Sequence, residues 1–84
     1  MRVRLHPHAR TRARERGTSA AEVVLTVRLG TPSRAKFGRT LFARTFAYNR
    51  TWFGKRYARK RVQAFAAPQK DGGWLVVTVI VKFF

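Results

Sequence analysis

Residues 16–30, RGTSAAEVVLTVRLG, decide how the first half of the chain folds. Ser19 with Glu22 three residues later is a capping box, which predicts that a helix begins directly after Ser19. The apolar residues of this helix recur at the helical period and are Ala20, Val23, Val24 and Val27. Gly30 is expected to stop this helix, and Gly17 is expected to end another helix before it.

Toward the N-terminus, the sequence predicts a short strand and a first helix. Residues 2–5 are expected to form the strand. Pro7 suits the first turn of a helix, because an N–H group at that position has no partner inside the helix. We therefore expect the first helix to run from about Pro7 to Arg16.

Beyond the second helix, the pattern changes to that of strands. Residues 39–48 and 56–66 alternate, and residues 49–54 are predicted to form a loop between them. In the second of these strands the alternation puts Lys60 with Val62 on one face and Arg61 on the other. The segment Asp71-Gly72-Gly73 predicts a hairpin turn before the last strand.

The last strand, residues 74–84, is apolar on both faces, which predicts a central position in the sheet. Its alternation puts Val77 and Val79 on one face and Val76 and Ile80 on the other. Together these elements predict an α+β fold: a short strand, two helices and a three-stranded antiparallel meander, with both helices packed on one sheet face. We expect residues 1–84 to form a single domain.

The charge of the chain is extreme, with 19 Lys and Arg against 3 Asp and Glu and a net charge of +16. No acid occurs between Glu22 and Asp71. Such a surface attracts polyanions by releasing their condensed counterions, and arginine forks favour phosphate. Nucleic acid, RNA rather than DNA, is the expected partner. An acidic protein such as an antitoxin, or a merely solvated charge, are the alternatives.

Composition and length exclude several other classes. A chain of 84 residues is too short for a Rossmann or barrel enzyme, and two His, three acids and no Cys are a poor ligand supply for a metal enzyme. We expect no cofactor. The start of the chain has no apolar core of signal-peptide length, and the apolar run 74–84 is too short to span a bilayer. We therefore expect a cytoplasmic protein without a membrane partner.

One set of residues has the types that metal-free RNA cleavage requires: a base for the 2′-hydroxyl and cations for the phosphorane charge. His8, Arg12 and Arg16 follow one another at four-residue spacing, so they share a stripe of the first helix, expected to lie next to the sheet edge. His8 is the candidate base. The candidate cations are Arg12, Arg16, Lys60 and Lys82. The alternative is that His8 caps or packs the helix and the arginines are ordinary surface residues.

A second set interleaves cations and aromatic rings, as in surfaces on which bases stack. The candidate nucleic-acid-binding residues are Arg39, Arg44, Arg50, Trp52, Arg59 and Arg61. Trp52 and Phe53 lie in the basic loop and are the candidates for an exposed stacking contact or a contact with a partner. Phe42 and Phe46 are expected in the core, because a small sheet needs large apolar side chains.

The chain also resembles a known family at three places. The opening motif is His8-Ala9-x-x-Arg12-x-x-x-Arg16-Gly17-x-Ser19-x-x-Glu22-Val23. Residues 73–84 are similar to the closing strand of the same family, and residues 36–40 and 55–62 to one of its subgroups. This is a bacterial family of unknown function that looks related to the RelE/BrnT-like type II toxin superfamily.

The resemblance implies the order β-α-α-β-β-β and a toxin-like, metal-independent endoribonuclease that acts on RNA, including ribosome-bound mRNA, and is held by an acidic antitoxin. This chain departs from the family by carrying Arg61, Gln63 and Gln69 where acids are expected. A non-catalytic RNA- or DNA-binding module, or a domain that binds a protein partner, are therefore the alternatives to the ribonuclease.

Overall fold

The computed structural model describes all 84 residues. In chain order the elements are β1 (Val3–Leu5), α1 (Pro7–Glu15), α2 (Ala20–Leu29), β2 (Thr31–Arg34), β3 (Thr40–Trp52), β4 (Lys55–Pro68) and β5 (Trp74–Phe83). The strands form one mixed sheet in the order β1-β5-β4-β3-β2. Strand β1 is parallel to β5, and every other pair is antiparallel.

Both helices begin and end where the sequence predicts. Pro7 opens α1, and the Nδ1 atom of His6 accepts a hydrogen bond from the backbone N–H of His8. The hydroxyl oxygen of Ser19 accepts from the backbone N–H of Glu22, as a capping residue does. These local signals depend only on neighbouring residues, which is why they can be recognised in the sequence.

The sheet has one strand more than predicted after the helices. Strand β2 pairs with the start of β3, so the predicted three-stranded meander is a four-stranded one. Every residue of β2 is exposed, and Pro32 lies within it. Proline lacks the N–H that a central strand needs, but it is tolerated in an edge strand such as β2.

The predicted loop over residues 49–54 is wrong in extent. Strand β3 continues to Trp52, and only Phe53 and Gly54 separate it from β4. The register of the hairpin shifts between Ala47 and Arg50, where one extra residue of β3 is accommodated with Asn49 at a φ of 52°. A β-bulge of this kind bends a strand without ending it, and the polar sequence around it resembles that of a loop.

A second bulge corrects the predicted faces of β5. Phe65 pairs with Thr78 and Ala66 with Val76, so Val77 is the extra residue. Val76 and Val79 therefore lie on the same face, and both are fully buried. As predicted, β5 lies inside the sheet, between β1 and β4.

The core lies between the two helices and one face of the sheet. Its eleven residues are Leu5, Ala9, Ala13, Val23, Val27, Phe42, Val62, Ala64, Ala66, Val76 and Val79. Phe42 is a core residue as predicted, and Phe46 is half-buried against the core. Neither helix is long and apolar enough to cross a membrane.

The other face of the sheet is covered by no helix, and we call it the open face. Alternation and register assign to it Leu41, Thr45, Arg59, Arg61, Gln63, Phe65, Thr78, Ile80 and Lys82. These residues alternate along the strands with the core residues, so their side chains point away from the helices.

Candidate nucleic-acid interface

All three side-chain carboxylates of the chain are engaged away from the open face. Glu15 forms an ion pair with Arg12 on α1, at 3.2 Å. Glu22, on α2, forms one with Lys60 at 2.6 Å. Asp71 accepts a hydrogen bond at 2.8 Å from the backbone N–H of Gly73 in the turn before β5. The cations of the open face therefore have no side-chain carboxylate beside them.

Cations meet directly across the strands of this face. Arg61 lies opposite Lys82 in the β4–β5 pair, and Arg59 is two residues from Arg61 on the same side of β4. All three side chains are exposed, and none forms an ion pair. Directly opposite like charges destabilise a sheet, and a bound polyanion removes that repulsion. This basic half of the open face is suited to a phosphate backbone.

The other half of the open face is apolar and concave. Leu41, Phe65 and Ile80 form the floor of an open cavity of about 480 Å³. Arg34, Lys36 and Arg39, which belong to the β2–β3 hairpin, stand along its rim. Gln63 pairs with Ile80 and lies between this cavity and the basic half, so the two halves form one surface.

The structure brings two of the predicted catalytic residues together on α1. The Nε atom of Arg12 donates a hydrogen bond to the Nε2 atom of His8 at 3.4 Å. Arg16 donates instead to the backbone carbonyl of Val79, beside the outer edge of β5. The stripe of His8, Arg12 and Arg16 on α1 therefore lies next to a sheet edge, as predicted. The guanidinium of Arg16, however, is engaged by a hydrogen bond within the fold.

Lys60, a predicted catalytic cation, lies inside the fold. The residue is 4% exposed and lies on the helix side of β4. Its Nζ atom donates to the carbonyl of Gly17 at 2.9 Å and pairs with Glu22. Lys82 lies on the opposite face of the sheet. The five predicted catalytic residues are thus not gathered in one site.

The six predicted nucleic-acid-binding residues lie at three places. Arg59 and Arg61 lie on the open face, and Arg39 stands at the rim of its cavity. The guanidinium of Arg44 lies over the ring of Phe46 at 5.4 Å, on the helix side of β3, with its Nε atom buried and unpaired.

The remaining two belong to an aromatic cluster at the β3–β4 hairpin. Trp52 stacks on Phe83 at 5.1 Å and is half-buried, so the prediction of an exposed Trp52 is corrected. Arg50 lies over the ring of Tyr48 at 5.0 Å. Phe53, predicted to be exposed, is 87% exposed.

Several residues of this surface were missed by sequence reasoning. The cavity floor joins β3, β4 and β5, and its rim includes Arg34 and Lys36 from a hairpin that was not predicted. Phe37, at the tip of that hairpin, is as exposed as Phe53. The sequence feature that could have indicated this hairpin is the pair Phe37-Gly38, which matches the pair Phe53-Gly54 in the β3–β4 hairpin.

No group of three or more His, Cys, Asp or Glu side chains is placed to hold a metal ion. Comparison with protein-family models, with curated proteins and with solved structures gave no significant match. The fold and the charge distribution therefore carry the functional argument, and the relation to the toxin superfamily stays a prediction.

Proposed function

We propose that the protein binds single-stranded RNA on the open face of its sheet. One observation carries the proposal: Arg61 and Lys82 lie directly opposite each other, beside Arg59, on a face without a side-chain carboxylate. Directly opposite like charges cost stability, and an anion bound between them removes that cost. A phosphate backbone provides one anion after another along its length.

The apolar half of the same face favours a single strand over a duplex. In single-stranded RNA the unpaired bases are free to contact Phe65 and Ile80 while the phosphates contact the neighbouring cations. A duplex keeps its bases stacked inside and presents only its backbone and groove edges to a flat sheet. The mixed surface therefore matches the chemistry of an unpaired strand.

The test is a titration of the protein with a fluorescein-labelled RNA of about 12 nucleotides, followed by anisotropy and by the NMR signals of the arginine Nε–Hε groups. We expect the signals of Arg59 and Arg61 to shift, whereas those of Arg10 and Arg14, exposed on α1, stay in place. If the RNA does not bind at low salt, the proposal fails, and an acidic protein becomes the better partner for the open face.

Cleavage of RNA is a second candidate function, supported by the exposed pair of His8 and Arg12. In a metal-independent endoribonuclease of the RelE/BrnT type, the Nε2 atom of His8, once released from its hydrogen bond with Arg12, would take the proton of the 2′-hydroxyl as that oxygen attacks the phosphorus. The bond between phosphorus and the 5′ oxygen would break, the 5′ oxygen would take a proton from water, and Arg12 would stabilise the charge on the attacked phosphate. Binding is favoured over cleavage because the predicted catalytic cations are not gathered in one site. Lys60 is buried, and Lys82 lies on the opposite face of the sheet from Lys60.

His8→Ala separates the two functions. If the protein is a nuclease, cleavage of free or ribosome-bound mRNA in EDTA falls by orders of magnitude in this variant. RNA affinity stays within about twofold, because His8 lies outside the open face. Absence of any cleavage by the unmodified protein, with and without ribosomes, would remove the second candidate and leave the first intact.

A further inference from the structure

Two hairpin turns of the chain share an unfavourable backbone conformation. The central residues Phe37 and Gly38 have φ angles of 63° and 69°, and Phe53 and Gly54 have φ angles of 48° and 80°. A four-residue turn whose two central residues both have positive φ angles is of type I′, which prefers Asn or Gly at the first central position. A phenylalanine there is strained, so each of these turns costs stability.

The two rings differ in what they contact. Phe53 lies edge-on to Trp52 at 4.8 Å, and Trp52 in turn stacks on Phe83. Phe53 therefore completes the aromatic cluster of its own hairpin. Phe37 makes no contact with another ring, and only the guanidinium of Arg39 lies over it, at 5.7 Å. Both residues are 87% exposed, but Phe53 has a ring contact within the fold and Phe37 has none.

Phe37 stands instead at the cavity of the open face. The cavity of about 480 Å³ has the size of a small-molecule site, and its floor of Leu41, Phe65 and Ile80 is apolar. Three cations of the β2–β3 hairpin, Arg34, Lys36 and Arg39, also line the same space. An occupant that satisfies both features is flat and apolar at one end and anionic at the other.

We infer that this cavity binds one unpaired nucleobase of the RNA, with the ring of Phe37 stacked on the base. Arg34, Lys36 and Arg39 contact the phosphates on either side of that nucleotide. The inference rests on the proposed function and adds a defined nucleotide site to it. Stacking on a base would also explain the strained backbone of Phe37, since the turn holds the ring at the cavity rather than against the sheet.

The experiment compares Phe37→Asn with the matched variant Phe53→Asn, using a fluorescein-labelled oligouridine of about 12 nucleotides as the probe. Asn suits the type I′ turn, so both variants fold, and Phe37→Asn raises the thermal midpoint by about 4 °C. The affinity of Phe37→Asn for the oligouridine falls on the order of tenfold, whereas that of Phe53→Asn changes less than about twofold. Phe37→Tyr keeps the ring and therefore keeps the affinity.

An abasic oligonucleotide of the same length separates the base from the backbone charge. The unmodified protein should bind the abasic probe more weakly than oligouridine, and Phe37→Asn should bind it as the unmodified protein does. Equal affinity of Phe37→Asn and the unmodified protein for oligouridine overturns the inference and leaves the proposed function standing. Failure of the unmodified protein to bind either probe overturns the proposed function itself.

Discussion

Replacing Lys60 by Met tests the assignment of this lysine to the interior of the fold. The Nζ atom of Lys60 donates to the carbonyl of Gly17, pairs with Glu22 and lies over the ring of Tyr48 at 5.4 Å. It thereby joins the turn between the helices to the middle of β4. Met fills a similar volume, so the substitution removes the charge and the hydrogen bonds with little loss of packing.

The expected loss of stability follows from what remains after the substitution. Removal of one member of a buried ion pair costs about 3–5 kcal/mol, because the other charge is left without a partner. The side chain of Glu22 is 28% exposed and keeps the hydrogen bond from the Thr18 hydroxyl at 2.8 Å, which places this case at the lower end. We expect a loss of about 3 kcal/mol, equivalent to a fall in the thermal midpoint of about 12–24 °C for a chain of this size.

Thermal and urea unfolding, followed by circular dichroism, measure this loss, with Lys82→Met as the matched control. Lys82 is exposed, so its substitution should change the free energy of unfolding by no more than about 0.5 kcal/mol. Adding Glu22→Gln to Lys60→Met should restore more than half of the lost stability, since no unpaired charge remains. Equal unfolding midpoints for Lys60→Met and Lys82→Met would refute the reasoning.

Two further substitutions test the packing that supports the open face. Gly17→Ala should cost about 2–3 kcal/mol in thermal unfolding, because φ is 84° there and a Cβ atom would lie 2.8 Å from the ring of Trp52 and 2.9 Å from that of Phe83. A variant as stable as the unmodified protein would contradict the close approach of the aromatic cluster to the α1–α2 turn. Val79→Ala should cost about 1–3 kcal/mol in urea unfolding, since Val79 is fully buried, and should leave the salt dependence of RNA binding unchanged. A change in that dependence would show that this part of the core also shapes the binding surface.

The sequence predicted the parts of the fold that are encoded locally. Pro7 and the Ser19–Glu22 capping box set the helix starts, and the period-two pattern of 56–66 sets the faces of β4. That pattern already put Lys60 on the same face as Val62. Had this face been identified as the core face, Lys60 would have been predicted to be buried. The ion-pair partner was not visible, because Glu22 is 38 residues away in the chain and only the packed fold joins them.

The bulges were not predictable from the same patterns. The extra residue at Val77 exchanges the faces of the rest of β5, and no Gly or Pro marks the position. The cavity of the open face depends on the register among three strands, which the alternation of any single strand does not determine. The cationic character of the surface could be predicted from composition, but its placement opposite the helices could not.

The salt dependence of RNA affinity tests the central claim most directly, when two variants of equal net charge are compared. The first replaces Arg59, Arg61 and Lys82 of the open face by Gln, and the second replaces Arg10, Arg14 and Arg28, which are exposed on the helices. Each cation that neutralises a phosphate of a single strand contributes about 0.7 to the slope of log affinity against log salt.

We therefore predict that the open-face variant loses about 2 units of slope and the helix variant less than about 0.5. Equal loss of slope in the two variants, or a larger loss in the helix variant, would contradict the assignment of RNA binding to the open face.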